Sequence, residues 1–165
     1  MVEAGILSED DRVELIEGEL IEMAPKGDDH ESLKDPLVMR LARALPDPLS
    51  VSVETTLKLS ADTYVEPDVL IYDRSHGRAG LGPDTVLLAI EIAASSLAYD
   101  LGRKPDLYAR HGVRELWVVD VKARCTTIHK GPSEDGYAHV SKHDEGDALS
   151  PLLIPDLTLK LSDLK

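Results

Sequence analysis

Two acidic residues and a lysine have the types and setting for phosphodiester chemistry. Asp68 follows Pro67 and opens the apolar run VLIYD, Glu91 lies inside the apolar run TVLLAIEIA, and Lys104 comes soon after in a stretch of helical character. Two strand-borne carboxylates, if their strands are neighbours, supply hard oxygen ligands for Mg²⁺ (or Mn²⁺). A lysine close by can hold a water or offset charge on a transition-state phosphate. Glu91 is the more telling of the two acids, because an ionised carboxylate within an apolar strand calls for a partner or a metal. Asp68 has a plainer reading as a strand-end carboxylate, and Lys104 has one as the i,i+4 partner of Asp100.

The elements that must position these groups read as strands with two helices. VELIEGELIEMA has the pattern of a hairpin turning at Glu17-Gly18. Residues 31–45 carry Leu33, Leu37, Val38, Leu41 and Leu45 at helical spacing, with Pro36 placed in the first turn or at a kink. LSVSVETTLKLS alternates as one strand, EPDVLIYD is a short buried strand, and TVLLAIEIA is the most apolar and the expected central strand. A second helix is predicted from Tyr99 to His111, closed at Gly112. A regular helix there would set Asp100, Lys104, Tyr108 and His111 roughly on one face. RELWVVDVK and CTTIHK follow as strands, then a turn from Lys130 to Gly136, a weaker edge strand YAHVSKH, and a proline-punctuated tail packed on the outside. No repeat interrupts this order, so a single α/β (α+β) domain over residues 1–165, with a mixed β-sheet flanked by helices, is the economical expectation.

Composition narrows the function classes. At 165 residues and 42% hydrophobic content the chain can bury one sizeable core. No apolar run is long enough to span a bilayer, and the start MVEAGILSEDD is acidic where a signal peptide is basic, so a cytoplasmic protein without membrane contact is expected. The lone cysteine, Cys125, excludes an internal disulfide and a cysteine-based zinc site, and reads as a small strand hydrophobe. The net charge of −13 opposes non-specific binding to a polyanion. Contact with nucleic acid must then rely on a local patch, and Arg103, Lys104, Arg110, His111 and Arg114 form the densest cationic stretch. Trp117 reads as a core anchor and Asp120 as a turn cap.

The ordered series ELIEGEL, His30 after a glycine-containing turn, EPD, EIAxSSL, YDxxxK and LYAxxGVxELWVVD resembles the Uma-two family of small bacterial restriction-endonuclease-like proteins, within the PD-(D/E)XK nuclease superfamily. The resemblance runs from about Val13 to Leu164. It implies a restriction-endonuclease-like core, a divalent metal at the acidic pair, and a frequent homodimer. By position, Asp68 matches the first metal-binding aspartate and Glu91 the second acidic position. Ala93 occupies the usual lysine place, and Lys104 matches the lysine displaced to the following helix. Glu14 matches an acidic residue that completes the metal site, and His30 a histidine at the start of the first helix. Asp100 and Tyr108 join as supporting groups. Two positions depart from the pattern: Ala94 stands where many relatives carry Asp or Ser, and Pro105 directly follows Lys104, a neighbour that disfavours helical geometry.

Three functions are compatible with these residues. The first is a Mg²⁺-dependent endonuclease-like phosphodiesterase acting on nucleic acid. The second is a catalytically silent nuclease-fold module that binds or regulates as a dimer, favoured by Ala94 and the acidic charge. The third is another metal hydrolase or a small-molecule binder on the same core, since fold alone does not fix function.

Overall fold

The computed structural model describes residues 12–164; the acidic segment 1–11 read above lies outside them. Strands β1 (Val13–Ile16) and β2 (Glu19–Glu22) form the expected hairpin, with Ile16 opposite Glu19. Glu17 and Gly18 both take positive φ (52° and 83°), the conformation that a two-residue turn of matching twist requires. Helix α1 (Asp28–Ala44) begins earlier than its apolar spacing suggested, with Asp28, Asp29 and Glu31 in the first turn, where the helix dipole favours negative charge. Pro36 therefore lies in the helix interior rather than in its first turn. Its missing N–H leaves the i−4 carbonyl of Ser32 without its usual donor.

The alternating stretch 49–60 is not one strand. It divides into β3 (Leu49–Val53) and β4 (Leu57–Lys58), and the break falls at Glu54, whose φ is 47°. Short strand β5 (Tyr64–Val65), which the sequence pattern did not reveal, pairs with both β4 and β1. Strands β6 (Val69–Asp73) and β7 (Val86–Ala93) follow, then α2 (Leu97–Leu101), α3 (Arg103–Arg110), β8 (Glu115–Asp120), β9 (Cys125–Ser133) and β10 (Gly136–Asp144). Two sheets result, a four-stranded one in the order β2-β1-β5-β4 and a six-stranded one in the order β10-β9-β8-β7-β6-β3. Among the described residues only the β7–β8 pair is parallel. A parallel pair needs a crossover, and α2 and α3 provide it.

The six-stranded sheet is covered on both faces, which explains why β7 reads as a nearly continuous apolar run. On one face Leu33, Leu37 and Leu41 of α1 pack with Leu88, Ile90, Ile92 and Trp117. Leu149, Ile154, Leu157, Leu159, Leu161 and Leu164 belong to that same cluster, so the C-terminal tail is part of the core rather than an outer wrapping. Glu115, fully buried, pins it: one carboxylate oxygen accepts from the Leu152 N–H at 2.6 Å and the other from Trp117 Nε1 at 2.7 Å. On the other face Leu107 and Tyr108 of α3 pack with Ile16, Leu57, Val65, Ala89, Leu116 and Val118. The predicted Lys130–Gly136 turn is shorter than expected, because β9 and β10 stay paired as far as Ser133 and Gly136. Asp120 caps the β8–β9 turn by accepting from the N–H groups of Lys122 and Ala123. No helix among the described residues is long and apolar enough to cross a membrane.

Candidate active site

Glu91 is the one charged residue of the most buried strand, and alternation turns it toward α3 while Ile90 and Ile92 face α1. There its Oε1 accepts from the Tyr108 hydroxyl at 2.7 Å and lies 3.0 Å from Lys104 Nζ. Burial pushes the Glu91 carboxyl above its ordinary range; Lys104 opposes this, and Asp68, Asp100 and Glu14 add to it. Lys104 Nζ also lies 3.4 Å from Glu14 Oε1 and 3.7 Å from Asp100 Oδ1. Burial alone would lower this ammonium, but the three carboxylates outweigh it and hold the group firmly charged.

Local sequence explains how Lys104 gets there. The predicted single helix is broken at Gly102, whose φ of −98° and ψ of −86° separate α2 from α3. A Cβ at that position would come within 2.7 Å of the Ala98 carbonyl oxygen. Pro105 falls in the first turn of α3, where no intrahelical N–H donor is needed, so it does not divert Lys104. Asp100 still reaches Lys104 across the break and accepts from the Ser96 hydroxyl. That serine supplies a polar neighbour close to Ala94, which itself lines the cleft. Burial raises the Asp100 carboxyl, against Lys104 and Ser96.

Asp68, as buried as Glu91, has different neighbours. Its Oδ2 accepts from the Ile92 N–H at 2.7 Å and lies 3.1 Å from His30 Nε2, while its Oδ1 is 2.7 Å from Lys26 Nζ. Burial would raise this carboxyl, but His30 and Lys26 together hold it well below the usual carboxylate range. Glu14 is oriented by the Glu66 N–H at 3.0 Å. Glu14, His30, Asp68, Glu91, Asp100 and Lys104 all line one cleft of about 220 Å³. Tyr108 lies behind it and touches Glu91.

Residues that sequence reasoning did not single out complete the surroundings. Lys26 bridges Asp68 and Glu54, Lys34 pairs with Glu31 and Glu54, and Tyr99 lines the cleft below Lys104. Lys34 and Lys26, against burial, bring Glu54 down to about 2. Lys26 sits in a Pro-Lys-Gly break and Glu54 at a strand end, positions where a sequence pattern signals only a turn. The arginines are placed elsewhere. Arg103 and Arg110 are exposed and reach Glu17 at 3.8 and 3.3 Å, Arg114 is exposed ahead of β8, and neither these three nor His111 line the cleft. The expected basic mouth is thus replaced by the half-buried Lys26 and the buried Lys104, together with His30.

The donor set suits a hard divalent cation. Glu14, Asp68, Glu91 and Asp100 are all buried, all offer carboxylate oxygens, and are served by only two ammonium groups. Burial is the chief cause of the upward shifts of Glu91 and Asp100, and the neighbouring carboxylates add to it. Among the described residues no three such groups already stand together as a ligand set, because Lys104 is held between Glu14 and Glu91.

No curated protein matches this chain. A solved structure described as a putative nuclease belonging to DUF820, from Anabaena variabilis ATCC 29413, matches with a TM-score of 0.77 and 18% sequence identity, over 98% of this chain and 93% of that one. The likeness establishes a shared nuclease-like fold, two sheets flanked by helices. A profile of the family described as "Uma2: Putative restriction endonuclease" matches residues 3–162, nearly the whole length, and the chain therefore belongs to the Uma2 family.

Proposed function

We propose that this protein is a Mg²⁺- or Mn²⁺-dependent phosphodiesterase acting on nucleic acid, with its reaction centre in the cleft lined by Asp68, Glu91 and Lys104. The observation that carries the reading is that Lys104 bridges Glu14 of β1 and Glu91 of β7 in the same cleft that Asp68, just ahead of β6, also lines. Asp68, Glu91 and Glu14 would hold the metal. When bound, a divalent cation supplies Lewis-acid polarisation of the phosphate and a water of lowered pKa. The chain's own groups fix the geometry: the Ile92 N–H and His30 orient Asp68, the Glu66 N–H orients Glu14, and Tyr108 orients Glu91. Lys104, kept charged, positions a water and offsets charge gathering on the phosphate. In the hydrolysis the water oxygen forms a new P–O bond and the bridging P–O bond breaks. Of the water's two protons, one ends on the leaving hydroxyl and the other in solvent. Arg103, Arg110 and Arg114 are assigned to outlying phosphates, the assembly to a homodimer and the compartment to the cytoplasm.

Calorimetry with Mn²⁺ on the parent chain and on Glu91→Ala, beside a cleavage assay on labelled DNA and RNA, tests the reading. The parent should bind and cut; Glu91→Ala should do neither. A second reading, the silent module, draws on the ammonium groups of Lys104 and Lys26, which already pair with Glu14, Glu91 and Asp68 without metal. Absence of Mn²⁺ binding by the parent selects it.

A further inference from the structure

The cleft holds about 220 Å³, less than the ~300–1,000 Å³ of sites that enclose a drug-sized ligand, and the carboxylates at its floor are buried. A paired duplex carries its phosphates on the outside of a stiff rod, one charge per ~1.7 Å of axis. Such a rod fits a cleft of this volume, with its carboxylates buried, less well than a flexible strand does. The walls are also unlike a phosphate track. Ile21, Met23, Ala24 and Pro25, from the end of β2 and its connection to α1, give apolar lining interrupted by Glu22, and no arginine is among the lining residues. A different element, α2, contributes Tyr99. Its half-buried ring lies 5.8 Å from Lys104 Nζ, and its enclosed hydroxyl has no hydrogen-bond partner among the described residues.

We infer that the cleft takes single-stranded nucleic acid: one unpaired base is received by Tyr99 and the apolar side chains of Ile21, Met23, Ala24 and Pro25, while the adjoining phosphodiester reaches Lys104 and the carboxylates. The inference rests on the phosphodiesterase reading above and names its substrate class. An aromatic face receives any base, because every base has a π-face, and such a platform works on strands whose bases are splayed. A single strand also has lower charge density than a duplex, which suits a chain of net charge −13. Tyr99 acts as a positioning residue, since it holds the base while other groups face the reacting bond.

The test pairs a short labelled oligonucleotide, single-stranded or annealed as a blunt duplex, with two assays: anisotropy in Ca²⁺ for binding and product formation in Mn²⁺ for cleavage. The single strand should bind and be cut at least about tenfold better than the duplex. Tyr99→Ala should raise KM for the single strand about tenfold and change kcat little, whereas Tyr99→Phe and Tyr99→Trp should retain parental behaviour. Should Tyr99→Ala fail to fold by circular dichroism, Tyr99→Leu fills the volume without the ring and gives the same comparison. A blunt duplex handled as well as the single strand, or indifference to loss of the ring, overturns the inference. Duplex cleavage without single-strand preference leaves the phosphodiesterase reading intact. Tyr99-dependent single-strand binding without cleavage of either form sinks that reading and upholds the substrate class.

Discussion

Glu91 and Asp68 are both buried acids, and the donors around them separate their behaviour. Glu91 has a hydroxyl and an ammonium shared with two other carboxylates, and its carboxyl rises. Asp68 has an N–H, an imidazole and an ammonium, and its carboxyl falls. The consequences for stability have opposite sign. A raised carboxyl contributes stability that is present at low pH and is lost as pH climbs from its ordinary 4.5 through the folded value, so Glu91 should make the metal-free protein less stable over that range. A depressed carboxyl contributes stability present above its ordinary 3.8 and lost as pH falls, which is the case of Asp68. Glu91→Gln keeps the shape and an acceptor for Tyr108. At pH 8 without metal it should be more stable than the parent by about 1–3 kcal/mol, with a flatter decline of Tm above pH 4.5. Asp68→Asn, by contrast, leaves Lys26 facing an uncharged amide and should cost about 3 kcal/mol. Thermal scans across pH in a chelator check both.

At the scale of elements, the break between α2 and α3 decides where Lys104 points. Gly102 tolerates its conformation because it has no Cβ; a methyl there meets the Ala98 carbonyl, which belongs to backbone and cannot swing aside. Gly102→Ala should therefore lower stability by about 1–3 kcal/mol and move the start of α3, weakening Mn²⁺ binding even though no ligand is altered. Chemical denaturation with calorimetry on the folded fraction reads both effects. A milder change is expected of Tyr108→Phe, which removes only the hydroxyl that Glu91 accepts from. It should cost about 1–2 kcal/mol by denaturation.

For the whole molecule, charge sets the terms of binding. The chain is acidic overall, the cations closest to the reaction centre are buried or half-buried, and two of the exposed arginines are partly spent on Glu17. Three outlying arginines and Lys104 neutralise at most four phosphates, so the slope of log affinity against log salt for a single strand should be no steeper than about −3. Arg110→Glu with Arg114→Glu should flatten that slope and weaken binding while leaving the circular dichroism spectrum unchanged. Titrations of a labelled strand over a salt series decide the point; an unaltered slope would remove these arginines from the interface.

How much of this was legible beforehand follows from the range of each interaction. The hairpin at Glu17-Gly18, the central apolar strand and the face of α1 are local patterns, and period and turn chemistry reveal them. Glu91 was conspicuous for the same reason, as a charge in an apolar run, and Asp68 and Lys104 stood out through the ordered motifs of a family. Local pattern could not show that residues 49–60 serve two sheets, because alternation is identical whichever sheet a strand joins. Nor could it show that the tail is core, since its leucines gain their meaning from α1 and from the sheet face they cover. Lys26, Glu54 and Tyr99 come to the site from a break, a strand end and a short helix. Their roles were decided by the tertiary structure, because burial and the proximity of opposite charge, which fix where a side chain's proton sits and what it can bind, are properties of neighbours remote in sequence.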